Sequence, residues 1–256
     1  VPDELLSKAF AVIGSAPYNG GTGLGVGLKT KSCVWAPENT TGYKTNFTGI
    51  TTEVSFLEYE GYKFSGDIDG SDNWDYICSV DPEGTQDAAT NYPVFNFANN
   101  YGTTAGLTGT DFETGWYVPS AKELVDIYES KTVIQLSLDI VTDFILSDSY
   151  WSSSQVAFNN FYAHRVNLND GNVYDYFYKS DNDDVLVLQA FSPELFNNYE
   201  YPEAIIESVE IPVAGEGYTG ELPVKIKGEN LKGNEITCDD VTFSNVTYIN
   251  NTRWNL

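Results

Sequence analysis

The stretch from Tyr150 to Phe191, YWSSSQVAFNNFYAHRVNLNDGNVYDYFYKSDNDDVLVLQAF, constrains this chain more than any other. It begins with small hydroxyl residues, closes on an apolar run, and between the two excludes whole classes of side chain. Positions 156–188 are 33 residues without Glu, Gln, Met or Trp and with one lysine, Lys179, while Asn, Asp, Tyr and Phe supply 18 of them. The rest of the chain uses Glu freely, so the bias is local. One reading is a polar β-hairpin region with aromatic cross-strand pairs. The other is a recognition surface, because flat aromatic area beside short polar groups is the chemistry of a paratope.

The remaining sequence frames that stretch with strands and a few helices. A length of 256 residues allows one large domain, or one domain with a smaller module. That is enough to bury a core without staples. DELLSKAFAVI, over residues 3–13, reads as a short helix, and the following GTGLGVG as a Gly-rich β-turn region. No βαβ unit surrounds those glycines, which argues against a dinucleotide loop. SCVWAP and TEVSFLEY alternate as strands do. Ser120-Ala-Lys-Glu123 fits a capping box, and Leu124, Val125, Ile127 and Tyr128 follow at helical spacing. A second helical run, Thr132 to Val141, puts Val133, Leu136 and Ile140 on one side. Helices in the middle of a strand-rich chain predict an α+β fold. Past Pro202 the texture returns to antiparallel alternation, which predicts a boundary near Phe196 to Pro202 and units 1–196 and 197–256.

Composition excludes several functions. The net charge is −24, and a field of that sign repels phosphate backbones, so no nucleic-acid partner is expected. Cys33, Cys78 and Cys238 are widely spaced and form no C-x-x-C pair, and His164 is the sole imidazole, so zinc-ligand spacing is missing. The cysteines read as small buried hydrophobes. Asp67–Asp75 and Asp181–Asp184 are acidic clusters whose first reading is a solvated turn and whose second is calcium. No nucleophile elbow accompanies His164, which reads as a surface contact residue. No catalytic residue, cofactor or metal ligand is therefore assigned. No run reaches the length of a membrane-spanning helix. A lipid anchor or signal peptide is expected only upstream of Val1.

GWYVPSAKEL, YWSSSQ, the Gly-centred turn Asp170-Gly171-Asn172 and the closing VLVLQAF together resemble the treponemal variable proteins of diversity-generating retroelements. DIDGSDNWDYICSVDPEGTQDAATNYPVFNFANNYG and GLTGTDFETGWYVPS are similar to that family as well, so the resemblance covers roughly residues 20–191. The family implies a C-type lectin-like fold of the formylglycine-generating-enzyme type. It also implies a coding template copied with errors at adenines, which turns AAY codons into many residues but never into Glu, Gln, Met, Trp or Lys. Those types are absent from 156–188 apart from Lys179. The family's closing pattern carries arginines where this chain has Leu186 and Gln189. Ile205 to Thr252 is similar to the opening strands of an immunoglobulin-like IPT/TIG domain, which implies a short β-rich C-terminal extension.

The resemblance implies a fixed frame that includes Trp151, Ser152, Ser153, Gln155, Ala163, Val166, Gly171, Lys179, Val185, Ala190 and Phe191. The variable ligand site it implies comprises Val156, Phe158, Asn159, Asn160, Phe161, Tyr162, His164, Arg165, Asn167, Asn169, Asp170, Asn172, Tyr174, Asp175, Tyr176, Tyr178, Ser180, Asp181, Asn182 and Asp183. Function follows as an expectation: a non-enzymatic, exported, monomeric binding protein on the bacterial outer surface. Its partner would be a protein or glycan ligand on a host or neighbouring cell. Two alternatives share the fold. One is a static glycan- or calcium-binding adhesin. A calcium-dependent sugar lectin would bring the EPN, QPD or WND signatures, which are missing here, whereas a calcium-free glycan reader would need none of them. A formylglycine-generating-type enzyme would bring cysteines near the site, and none lie between 79 and 237.

Overall fold

Adjacent residues of one strand, Tyr150 and Trp151, point into two different hydrophobic cores, and the fold of the first unit is built around that strand. The computed structural model of the chain describes residues 9, 11–18, 22–59, 61–191, 205–210 and 225–229. It divides into two compact units, Val1–Pro193 and Glu194–Leu256.

The first unit is mixed α+β. Strands β1 (Ala11–Tyr18), β2 (Thr22–Gly27) and β3 (Lys31–Val34) lead into the short helix α1 (Thr41–Lys44), then β4 (Thr51–Leu57) and β5 (Gly61–Gly66). A helical stretch follows: α2 (Asn73–Val80), α3 (Ala88–Asn91), α4 (Pro93–Asn99), α5 (Tyr101–Ala105), α6 (Ala121–Glu129) and α7 (Lys131–Val141). Strands β6 (Ser149–Val156), β7 (Tyr162–Asn167), β8 (Val173–Tyr178), β9 (Asn182–Val185) and β10 (Leu188–Phe191) complete it. The larger sheet runs β3-β9-β6-β4-β5, with β7 on β6 and β8 on β7, and a smaller sheet runs β1-β2-β10. In the second unit, β11 (Ile205–Glu210) and β12 (Lys225–Glu229) pair antiparallel. The rest of the IPT/TIG-like stretch, with Gly215, Gly217, Gly220 and Cys238, lies outside the described residues.

Strand alternation explains the two cores. Trp151, Val185 and Val187 join an aromatic cluster with Trp35, Phe47, Ile77, Tyr92, Phe95 and Tyr101. Tyr150, Leu186 and Leu188 join an aliphatic cluster with Leu124, Ile134, Leu138 and Val166. The run VLVL is apolar throughout because it is covered on both sides. It is not one strand, however. β9 pairs with β3 and β10 with β2, so the closing segment is shared between the two sheets.

The capping box forms as the sequence predicts. Ser120 Oγ accepts from the Glu123 backbone N–H at 3.2 Å, and a Glu123 carboxylate oxygen accepts from Ser120 N–H at 2.8 Å. That carboxylate also accepts from Gly70 N–H at 2.9 Å and from the Tyr117 hydroxyl at 2.8 Å, so it clamps the 67–73 loop onto α6. Burial pushes the Glu123 carboxyl up to about 7, against the three donors that lower it. Between the ordinary value of 4.5 and about 7 the folded chain therefore binds more protons than the unfolded chain. Stability is expected to fall as pH rises through that window. A Glu123→Gln variant should lose this slope, read from urea midpoints at pH 4.5, 5.5, 6.5 and 7.5; an unchanged slope would assign the dependence elsewhere.

Four expectations are corrected here. Ala11–Ile13 belong to β1 rather than to a helix, while residues 3–8 and 10 lie outside the described residues. The glycine run is strand β2 rather than a turn, and its glycines are required by close approach. A Cβ on Gly25 would overlap the Phe191 ring, and one on Gly27 would overlap the Tyr101 phenol. Helix α7 is rotated relative to the predicted stripe: Ile134 and Leu138 are buried, whereas Leu136 is 63% and Ile140 60% exposed, with Val133 also outside. Finally, Asp67–Asp75 is not simply solvated. Asp67 accepts from Asn73 Nδ2 at 2.8 Å, and α2 begins within the cluster.

Candidate functional site

The floor of the site is the WSSSQ segment of β6, every residue of which is buried. Small hydroxyl side chains suit that place because each satisfies backbone or side-chain polar groups of a different neighbouring segment in a dry interior. Ser152 Oγ donates to the His164 carbonyl at 2.9 Å, Ser153 Oγ accepts from Asn73 Nδ2 at 2.8 Å, and Ser154 Oγ accepts from Ala121 N–H at 3.0 Å. Gln155 Oε1 accepts from Phe47 N–H at 3.2 Å, and its Nε2 donates to Asn46 Oδ1 at 2.6 Å. The indoles are crossed: Trp35 donates to the Ser152 carbonyl and Trp151 to the Cys33 carbonyl, each at 3.1 Å. Burial pushes the Cys33 thiol up to about 11, so it acts as packing rather than as a nucleophile.

Two cations stand on this floor. Lys179, fully buried, donates to Gln155 Oε1 at 2.8 Å, the Gly42 carbonyl at 3.1 Å and the Thr45 carbonyl at 3.3 Å. Its nitrogen lies 4.5 Å from the Trp35 ring centre and 5.1 Å from that of Phe47. Burial pulls its amine well below the ordinary lysine value. Three oxygen acceptors around one nitrogen nevertheless require three donors, which the ammonium form alone supplies. Arg165 lies between the rings of Trp151 and Phe177, at 4.2 and 3.9 Å, and pairs with Asp183 at 2.8 Å and more loosely with Asp181 at 3.8 Å. Burial lowers the Arg165 guanidinium and raises Asp183, while their mutual attraction opposes both shifts.

Above the floor, β7 and β8 pair through Tyr162↔Tyr178 and Ala163↔Phe177, with an irregularity before Arg165↔Tyr174. Gly171, at φ 76°, closes the turn between them, where a Cβ would strike the Tyr128 ring. Much of the short polar chemistry serves the turns themselves. Asn159 Oδ1 accepts from Phe161 N–H, Asn167 Oδ1 from Asn169 N–H, Asp170 Oδ1 from Asn172 N–H, and Asp181 Oδ2 from Tyr178 N–H, all at 2.8–3.0 Å. Asn160 Nδ2 reaches the Lys44 carbonyl, and Asn182 Nδ2 the Ser32 hydroxyl.

What faces outward is aromatic. Phe158 is 73% exposed and Tyr176 58%, with Phe161 and Tyr178 also outside; Tyr162, Tyr174 and Asp175 are half-buried. Tyr162 and Tyr178 meet edge to face at 4.9 Å, Tyr174 and Tyr176 at 5.8 Å, and Tyr176 stacks on Phe177 at 4.8 Å. Asn169, Asp170, Asn172 and Asn182 are exposed, and Ser180 is half-buried beside Glu38.

Three expected contact residues are not on the surface. Val156 is fully buried, His164 is 1% exposed, and Arg165 is buried in its ring sandwich. The His164 ring nitrogen Nε2 faces the Thr52 carbonyl at 3.0 Å and so carries the proton. Burial lowers its pKa below the ordinary histidine value, against the Thr52 bond and the Asp175 charge that raise it. The Asp181–Asp184 cluster is corrected in part: the Asp183 carboxylate is taken up by Arg165, while Asp181 stays partly exposed beside it. Residues outside the biased stretch complete the site. Tyr43 packs on Phe161 at 5.3 Å, and Tyr62 accepts from Val173 N–H at 3.1 Å. No local pattern marks either of them, because both arrive through long-range contacts.

Among the described residues no group of three or more His, Cys, Asp or Glu could hold a metal ion, and no helix is long and apolar enough to cross a membrane. No protein-family model matches the chain, and no curated protein matches it. Among solved structures, a fimbrial protein from Bacteroides ovatus is similar at 22% identity and a TM-score of 0.46. The likeness covers 66% of this chain and 36% of that one.

Proposed function

We propose that the chain is a non-enzymatic, exported surface protein that binds a ligand through the aromatic face of β7, β8 and their flanking turns. On this reading the first unit is a C-type lectin-like scaffold of the retroelement-diversified type, and its exposed positions are the substitutable ones. The observation that supports the reading is how burial divides the biased stretch. Frame positions Trp151, Ser152, Ser153, Gln155, Ala163, Val166, Gly171, Lys179, Val185 and Phe191 are buried, Ala190 being the exception. Phe158, Phe161, Asn169, Asp170, Asn172, Tyr176, Tyr178 and Asn182 are exposed. Side chains that touch solvent can change the ligand without changing the core. Val156, His164 and Arg165 fall out of the binding set and join the frame.

The test is a display library randomised at Phe158, Tyr162, Tyr174, Tyr176, Tyr178 and Asn182 and panned against an arbitrary protein such as lysozyme. Most members are expected to unfold within a few degrees of the wild type, and specific binders are expected to emerge. A library that largely fails to fold, or that folds and yields no binder, would sink the reading. The diversification itself predicts a near-copy of the coding stretch for 156–188 beside a reverse-transcriptase gene, differing at template adenines. Sequencing the locus without finding that copy would leave a static binding protein.

A further inference from the structure

The β7–β8 surface carries an arrangement that the floor below it repeats twice in filled form. Arg165 is held between two rings with carboxylates at its edge, and Lys179 rests against two rings. At the surface, the rings of Phe161, Tyr162 and Tyr178 stand beside carboxylates, and the buried Tyr43 ring packs against Phe161. Tyr43 meets Phe161 at 5.3 Å and Tyr162 meets Tyr178 at 4.9 Å. Glu38 reaches the same patch through Ser180, whose hydroxyl is 3.5 Å from its carboxylate. Asp181 is fixed beside it by the 2.9 Å bond from Tyr178 N–H. The groups are mutually close: after burial and a bond to Ser180, the charges of Glu38 and Asp181 act on the Tyr43 phenol. After its bond to Tyr178, the Tyr162 phenol feels Tyr43 and Asp181.

We infer that Phe161, Tyr162, Tyr178, Glu38 and Asp181, with the buried Tyr43 as packing for Phe161, form a docking site for an arginine side chain of a protein partner. Ring faces attract a guanidinium through their quadrupoles and by stacking, and carboxylates at the rim supply acceptors for its planar fork. Glu38 and Phe161 stand exposed, Tyr178 is 46% exposed, and the chain as a whole carries −24, so approach of a cation is favoured at long range as well as at contact. An ammonium group offers no plane to stack and is more strongly hydrated, which ranks lysine below arginine here. The inference rests on the binding role proposed for this face and names its ligand class.

The probe is an end-blocked Gly-Arg-Gly-Arg-Gly peptide, titrated into the full chain in low salt and followed by NMR shifts of the tyrosine rings. Matched peptides carrying citrulline or lysine, and tetramethylammonium alone, form the other arms. The arginine peptide is expected to bind, the lysine peptide more weakly, and the citrulline peptide not at all. Glu38→Gln, Asp181→Asn and Tyr178→Leu should each weaken arginine binding about two- to fivefold, the scale of an exposed cation–π or ion-pair contact. Glu58→Gln on the β4–β5 hairpin and Asp139→Asn on α7 make the same charge change elsewhere and should leave binding unaltered. Equal loss at those two remote positions would mean general attraction by a polyanion and would overturn the site. Equal binding of citrulline, or of tetramethylammonium, would overturn the assignment to arginine. If the randomised library yields binders while the arginine peptide shows no shift, the ligand class fails and the binding face stands; if the library also fails, both fall.

Discussion

Lys179→Ala is expected to cost about 3–5 kcal/mol, the range for removing one partner of a buried charged network and opening a cavity behind it. The Gly42 and Thr45 carbonyls lose their Lys179 donor, Gln155 Oε1 keeps only Phe47 N–H, and Trp35 and Phe47 face a void. For a unit of this size the melting temperature should drop by roughly 6–20 °C. Lys179→Met fills most of the volume and is expected to cost less, since under-used carbonyl oxygens are better tolerated than a void. Burial also fixes the sign of a pH effect. An amine whose folded pKa is depressed binds fewer protons than in the unfolded chain, so wild-type stability should rise with pH towards the ordinary lysine value of 10.5. Lys179→Met should lack that component. An alanine variant within 1 kcal/mol of wild type would show that the network is dispensable, contrary to this account.

Arg165→Ala is expected to be nearly as damaging, about 2–4 kcal/mol, because it strands the Asp183 carboxylate and separates Trp151 from Phe177. Arg165→Lys should recover less than half of the loss, since an ammonium cannot fill the slot between two rings as a planar guanidinium does. Near-ultraviolet circular dichroism reports the Trp151 environment alongside the melting curve. Full rescue by lysine would mean that charge alone matters and that the ring sandwich does not.

How much of this was legible follows from the range of each interaction. The capping box from Ser120 to Glu123 spans four residues, and the turn at Gly171 is set by its own backbone, so both could be read directly. The α+β class follows from the same local signals. Helix α7 shows where periodicity fails. It carries two apolar stripes, Ile134 with Leu138 and Val133 with Leu136 and Ile140, and only the packing partners choose between them. Strand β2 was hidden because its glycines answer to Phe191 and Tyr101, far along the chain. His164 sits among Asn and Asp residues that mark a surface, yet its strand register turns it inward towards Thr52. At the candidate site, the aromatic residues of β7 and β8 stood out by composition. Tyr43, Glu38 and the two cation networks did not, since they come together only through tertiary contacts.

The division of the closing segment between two sheets has a consequence for how the chain acquires its fold. β2 waits for β10 and β3 for β9, so strands from the beginning of the first unit find their partners only when its last residues are available. Such non-local closure slows folding, because loop entropy is lost before the contacts reward it. A chain emerging amino-terminus first would hold β2 and β3 as open edges throughout synthesis, the condition under which strands mispair and aggregate. Truncation after Lys179 would leave both sheets without their last strand at once, so the segment that bears the outward face also determines when the whole unit becomes resistant to proteolysis.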